Sequence, residues 1–555
     1  MDDETPPGVN EAYENQCNQY SESGKQIEIE WRKLLRTSLS SRSPTSVKQA
    51  AAFVSNLGRA VGFIDSTPAS LSELPPLFLC ERIVNFLNEI PRALGRSVRV
   101  YITAGSQLKD EEYQQLLGHF SKAGLGNRVF IVVVPGAAQA AKDEARRTHS
   151  GIIILDSSDI MAISSHAQPP RLFYRLIRQQ CPIDMIQPYN HFGAVRPAMF
   201  FGRQKELSRI MLNPDKSFAI YGGRRAGKTS LLTRLGDDLK NDTSNMPLFF
   251  SSQGIKDIAD FSQRMLLSLQ GTRVESPALR RRFDLEQLRA DLKYQILTTG
   301  KRVTFLVDEI DDLVTVDQKR GEPMMNMLRG LNEELREKCR FIFAGFRRLY
   351  DRMIYYYSPV MNFLIPMELG AIDKPAARKL VELPFYHYMG YDIEPDVIDM
   401  ILNYSSLSPW QIQHFCGRLV QSLAEEQRDT VGIFDAQQTF NDYAFRTEVV
   451  ETVLSNLSND QMAILCLFLD SDGFTREDVY QTFQKEQLHV DLSFLGRQLD
   501  QMVKFGVLSP PRRDHNKFSF QYAHLATIIK EVEAPSQLLF HAKQKIKQRE
   551  RKPRY

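Results

Sequence analysis

Two clusters of residues in this chain have the types and spacing to do chemistry. The first is Gly222-Gly223-Arg224-Arg225-Ala226-Gly227-Lys228-Thr229, which follows the apolar run Phe218-Ala-Ile-Tyr221 and leads into Ser230-Leu-Leu232. Its spacing, G-x-x-x-x-G-K-T between a strand and an amphipathic helix, is that of a phosphate-binding loop. Glycines let successive backbone N–H groups turn inward and cradle a triphosphate at the positive end of the following helix. That assigns Gly222, Gly223, Arg224, Arg225, Ala226, Gly227, Lys228, Thr229 and Ser230 to nucleotide binding. Lys228 brings a mobile cation to the β and γ oxygens and so also serves catalysis, and the Thr229 hydroxyl is a ligand for Mg²⁺.

The second cluster is Asp308-Glu309-Ile310-Asp311-Asp312, delivered by the apolar run Val303-Thr-Phe-Leu-Val307. A carboxylate at the C-terminal end of such a strand lies on the edge where ligands bind in open α/β sheets. Asp308 is expected in the Mg²⁺ shell, with Glu309 polarising the attacking water as general base. Without the phosphate loop the same run reads as a strand ending in a solvated acidic turn.

The segment Phe200-Phe-Gly202-Arg203-Gln-Lys-Glu206-Leu207 and the run Asp308-Glu-Ile-Asp311 resemble the AAA+ superclass, most of all its STAND-type and archaeal-ATPase branches and the origin-recognition initiators. The resemblance covers about residues 196–448 and implies an α/β P-loop NTPase core with a helical lid and ATP and Mg²⁺ as cofactors. It also implies that Gly202 and Arg203 border the adenine. Gly345-Phe346-Arg347 stands where many AAA+ proteins carry an Asn or Thr sensor. Arg347, Arg348 and Arg352 are candidates for a finger toward a neighbouring subunit, with a solvated surface as the other reading. Ser408-Pro409-Trp410 is similar to the lid motif whose proline packs near the adenine, although Ser408 departs from it. Trp410 and Phe415 read as lid core, His414 as packed, and Arg418 as a sensor or a surface ion pair.

These clusters need a scaffold. With 555 residues, 43% hydrophobic and 25% charged, the chain is long enough for several cores. The pattern divides it into an acidic disordered head (1–24), an N-terminal α/β domain (25–195), the core (196–366), the lid (367–448), a winged helix (449–540) and a basic tail (541–555). Residues 27–95 read as amphipathic helices broken at Pro44, Pro68 and Pro75-Pro76. Strands at 98–102, 129–134 and 151–155, alternating with helices at 110–124 and 137–149, predict a parallel sheet. That layout looks somewhat like the distal half of Mrr-type restriction endonucleases, and a receiver or Rossmann-like sheet matches nearly as well. A metal-dependent nuclease needs a carboxylate and an acid-x-Lys pair. Gln107-Leu-Lys109 with Asp65 upstream is a poor version, so the domain reads better as a sensing or protein-binding unit, with Asp156 as a strand-end cap.

The net charge of +3 conceals opposed ends: six acidic residues without Lys or Arg in residues 1–24, and seven basic residues against Glu550 in residues 541–555. The winged-helix pattern holds 8 basic and 11 acidic residues over 455–540, its basic edge being Arg497, Lys504, Arg512, Arg513 and Lys517. DNA contact through the wing and tail competes with a docking role that holds the ATPase closed. The apolar runs are strand-sized, well below the roughly 20 residues of a membrane span, and the six cysteines are scattered without paired spacing. A cytoplasmic location is expected. The leading expectation is an ATP-dependent switch with slow hydrolysis, a protein effector and self-assembly, in signalling or defence; an initiator-like ATPase loading on duplex DNA is the alternative.

Overall fold

Val98, Val100 and Ile102 project to one face of a strand and Tyr101 to the other, and all four are buried. Strands covered on both faces need apolar residues at every position, which explains the unbroken runs. The computed structural model describes residues 9–37, 43–61, 63–68, 78–86, 97–105, 107–122, 130–148, 151–190, 193–270, 284–354, 358–424, 428–511, 516–522 and 524–550. Among them no helix is long and apolar enough to cross a membrane.

The N-terminal sheet has the order β1 (Phe63–Pro68), β2 (Phe78–Phe86), β3 (Ser97–Thr103), β4 (Phe130–Val133), β5 (Ile152–Leu155). β3 to β5 run parallel, as expected, but β1 and β2 form an antiparallel meander onto β3 in a region read as helical. Clustered prolines mark breaks in either kind of element, so they do not separate the two readings. The acidic head is corrected for residues 9–24, which belong to the helix Val9–Leu35; residues 1–8 lie outside the described residues. Ile27, Trp31 and Leu34, spaced to share one helical face, are fully buried, and Trp31 packs on Phe53 at 4.7 Å. Asp65 lies on β1, two strands away from β3, whose end leads to Gln107 and Lys109, so the nuclease candidates are not brought together. Asp156 caps the helix Ser157–Ser165, and buried Lys142 pairs with it at 2.8 Å.

The core sheet has the order β10 (Leu364–Glu368), β6 (Ser217–Tyr221), β9 (Cys339–Gly345), β8 (Arg302–Asp308), β7 (Asn245–Ser251), all parallel. β6 and β8 flank the middle strand β9, and because the strands run parallel the loop leaving β6 and the carboxylates leaving β8 emerge on one edge, separated only by β9. The lid follows, with the helix Lys374–Leu383 and the long helix Pro409–Ala424 around one apolar cluster. The helix Pro169–Gln180 ties the N-terminal domain to this lid. Phe173 and Ile177 face its own core, while Arg171, Arg175 and Arg178 pair with Asp392 and Asp429, and Arg178 lies 3.8 Å from the Tyr391 ring.

The C-terminal unit comprises the end of the helix Tyr443–Ser455, whose Val450 and Val453 join its core, with the C-cap Asn456, the helices Asn459–Phe468, Arg476–Lys485 and Leu492–Lys504, and a two-stranded antiparallel ribbon. The basic tail is corrected too. Residues 541–550 continue the helix Pro535–Glu550, which buries Ala542 and Ile546 against this unit and pairs Arg549 with Asp460 at 2.7 and 2.8 Å. Arg551, Lys552 and Arg554, and the wing residues Arg512 and Arg513, lie outside the described residues.

Candidate nucleotide-binding site

The phosphate loop starts where β6 runs out of room. A Cβ on Gly222 would sit 2.2 Å from the Leu369 carbonyl oxygen, and one on Gly223 3.0 Å from that of Phe505. Gly227 has φ +91°, open to glycine, and it begins the helix Lys228–Lys240. The Lys228 ammonium is buried and donates to the carbonyls of Gly222 and Gly223 at 3.0 and 2.8 Å. Burial lowers its pKa, opposed by Glu309 and Asp308.

Opposite the loop, the Thr229 hydroxyl donates to Asp308 Oδ2 at 2.6 Å. Hydroxyl and carboxylate are hard oxygen donors suited to Mg²⁺, so Thr229 and Asp308 fit the metal and the loop amides fit a polyphosphate. Held by Thr229 and Asp308, Mg²⁺ would supply positive charge against that of a polyphosphate. Glu309 has φ +52° and its carbonyl accepts from the Ser252 hydroxyl at 2.7 Å. A left-handed non-glycine residue costs roughly 1–2 kcal/mol; here it turns two adjacent carboxylates to different tasks, Asp308 to Thr229 and Glu309 into the cavity. Burial, then the neighbouring Asp308, raises the Glu309 pKa, against the pull of Lys228. A carboxylate with raised proton affinity is suited to accept a proton from water.

The cavity measures about 820 Å³. Arg224 to Ser230 with Glu309 make its polar part, and Val195, Met199, Phe201, Ile372 and Leu380, which pack in one apolar cluster, its apolar part. Pro409 and Trp410 line it from the lid. Arg203 of the Gly-Arg segment lines the cavity, and its guanidinium donates to the carbonyls of Ala226 and Gly370, bracing the loop against the lid boundary; a Cβ on Gly202 would lie 3.1 Å from that of Ala376. His414 is buried between Trp410 and Phe445, and both His414 and Arg418 pair with Glu448.

Of the three arginine candidates, Arg352 forms a buried pair with Glu322 and is not positioned as a finger. Arg348 is exposed at the cavity rim. Arg347 points into its own cleft, donating to the Asn456 carbonyl and to Gln461 Oε1 at 2.7 Å, and burial lowers its pKa to about 10.

Sequence reasoning missed the residues that Arg347 meets. The C-terminal unit closes over the loop: the Arg224 backbone N–H donates to Asn456 Oδ1 at 2.9 Å and the Arg225 guanidinium to the Thr452 hydroxyl at 2.9 Å. Lys504 pairs with Glu368 at 2.5 Å, Gln501 donates to Asp351, and Phe505 packs on Phe346 at 4.6 Å. Thr452, Asn456, Gln461 and Gln501 belong to no motif and no local signal marks them, whereas Lys504 is part of the basic edge read from the sequence.

No curated protein matches the chain. Among solved structures, the Walker-type ATPase paby2304 of Pyrococcus abyssi is similar at 13% identity, over 62% of this chain and 99% of that one, with a TM-score of 0.47. The Aeropyrum pernix ORC2 protein in its ADPNP-ADP complexes is similar at 12% identity, over 64% and 97%, with a TM-score of 0.45. The Thermotoga maritima RuvB Holliday junction branch migration motor is similar at 15% identity, over 60% and 97%, with a TM-score of 0.33. Residues 212–353 match the family described as an AAA domain. With the parallel sheet and the loop at the end of its interior strand β6, this part of the chain has the fold of a P-loop AAA+-type ATPase.

Proposed function

We propose that this protein is a nucleotide-gated molecular switch in which ATP and Mg²⁺ bind between the core and the lid and slow hydrolysis resets the C-terminal unit. The carrying observation is the Asn456 contact. A backbone N–H of the phosphate loop, the group that a phosphate oxygen would take, is held by a side chain of the C-terminal unit at 2.9 Å. Arg347 is committed to the same segment. A γ-phosphate offers both donors a charged acceptor, and charge-assisted hydrogen bonds are roughly twice as strong as neutral ones. Nucleotide thereby favours release of the unit, through differential contacts with two arrangements.

In this reading Lys228 and the loop amides hold the phosphates, Thr229 and Asp308 the metal, and Glu309 takes the proton of the attacking water. Released surfaces of the C-terminal unit and core would then engage an effector or further copies of the chain, as in signalling or defence. The initiator-like alternative, loading on duplex DNA, is the weaker reading. In the winged-helix interpretation, Lys504 would be a phosphate contact, yet it is paired with Glu368, and tail residues Lys543 and Arg549 are paired with Glu486 and Asp460.

The test uses Glu309→Gln, which should bind ATP without turning it over, and measures the distance between fluorophores on the C-terminal unit and the core. ATP should lengthen it and ADP should not; no change with bound ATP refutes the switch. Lys228→Ala should abolish nucleotide binding. An unchanged distance together with ATP-dependent retention on duplex DNA favours the loader.

A further inference from the structure

Gln413 sits on the lid helix Pro409–Ala424, is 5% exposed and lines the nucleotide cavity. Its side-chain oxygen accepts from the Asn190 backbone N–H at 3.4 Å. A backbone N–H can only donate, so the amide atom facing it must be the oxygen, and this fixes which way the amide lies. The NH₂ group is thereby turned away from Asn190. The carbonyl oxygen keeps a second lone pair, so the amide offers a donor and an acceptor side by side. The Asn190 strap is itself held: Tyr189 donates to the Val381 carbonyl at 3.0 Å, and Val195 N–H donates to the Ser230 hydroxyl at 3.1 Å, beside the loop.

We propose that Gln413 reads the base of the bound nucleotide and selects adenine. This rests on the nucleotide site proposed above. A glutamine amide pairs with the N7 acceptor and the N6 amino donor of adenine. Guanine carries an oxygen in place of that amino group, which sets two acceptors against each other. Val195, Met199, Ile372 and Leu380 line the same cavity and offer no polar group to tell one purine from another, whereas the Gln413 amide does.

The experiment measures affinity, not turnover. ADP, 7-deaza-ADP and GDP are titrated by calorimetry into the full chain and into Gln413→Leu, which keeps the side-chain volume. The wild-type chain should bind 7-deaza-ADP about tenfold more weakly than ADP, the loss expected for one arm of a bidentate pair. GDP should be weaker still, and Gln413→Leu should bind ADP and 7-deaza-ADP equally. Equal affinities in the wild-type chain overturn the proposal without any variant having to fold, leaving the nucleotide site intact. A 7-deaza penalty that persists in Gln413→Leu also overturns it. If the wild-type chain binds no ADP, the nucleotide reading itself fails and takes this assignment with it.

Discussion

Replacing Asn456 by alanine isolates the contact on which the proposed switch depends. Its Oδ1 accepts the Arg224 N–H at 2.9 Å across the interface, while its Nδ2 donates to the Thr452 carbonyl at 3.0 Å within the C-terminal unit. Only the first bond differs between docked and released arrangements. A neutral hydrogen bond contributes about 1 kcal/mol net, a factor of about 5 in an equilibrium constant. Arg224 is exposed and lines the cavity, so water can reach its N–H once Asn456 is gone and little desolvation cost is added. The Arg347 bond to the Asn456 carbonyl uses backbone and survives the substitution. Asn456→Ala should therefore shift the equilibrium about fivefold toward release. If triphosphate binds the released form, its apparent affinity should rise by the same factor. Calorimetric titration with a non-hydrolysable ATP analogue measures this, and faster hydrogen exchange at the Arg224 amide reports it independently. Unchanged affinity in a variant whose exchange has accelerated would refute the coupling of latch to nucleotide.

Three further outcomes follow from the packing. Ile546→Ala should destabilise the C-terminal unit by about 3 kcal/mol, because Ile546 is 1% exposed; a solvated arm would show no loss in denaturant unfolding. Arg352→Ala should cost about 3 kcal/mol by leaving Glu322 unpaired, with hydrolysis per folded molecule unchanged; lost turnover at unchanged stability would restore the finger. Burial pushes the Asp351 carboxyl from its ordinary 3.8 up to about 6. The folded state then holds more protons than the unfolded state between those values, so stability contributed by Asp351 declines as pH rises through this window and is level above it. Asp351→Asn should remove that decline in urea titrations, and an unaltered slope would contradict the assignment.

The phosphate loop, Asp308 and Glu309 were legible in the sequence because the chemistry needs contiguous groups. Successive amides cradle one phosphate, and a strand end delivers one carboxylate, so short-range spacing carries the signal. Strands β3 to β5 and β6 were legible for a similar reason, since burial on both faces demands apolar residues throughout. β1 and β2 were not, because Phe63-Ile-Asp-Ser-Thr-Pro68 has neither an apolar run nor strict alternation and takes its conformation from pairing with β2. The charged ends misled through composition. Charge density argues for solvation, but Ala542, Ile546 and Arg549 share a helical face that finds an apolar and acidic partner only in the folded unit.

By itself, then, the sequence determined the phosphate-loop motif, the acidic strand end and the order of the elements that carry them. What only the tertiary structure decided is which distant side chains occupy the same groups. Asn456, Thr452 and Gln461 approach Arg224, Arg225 and Arg347 from far along the chain, and Asn190 orients Gln413 across the lid. Each is an ordinary polar residue whose meaning is set by what the fold places within hydrogen-bond reach, and no local pattern encodes that distance.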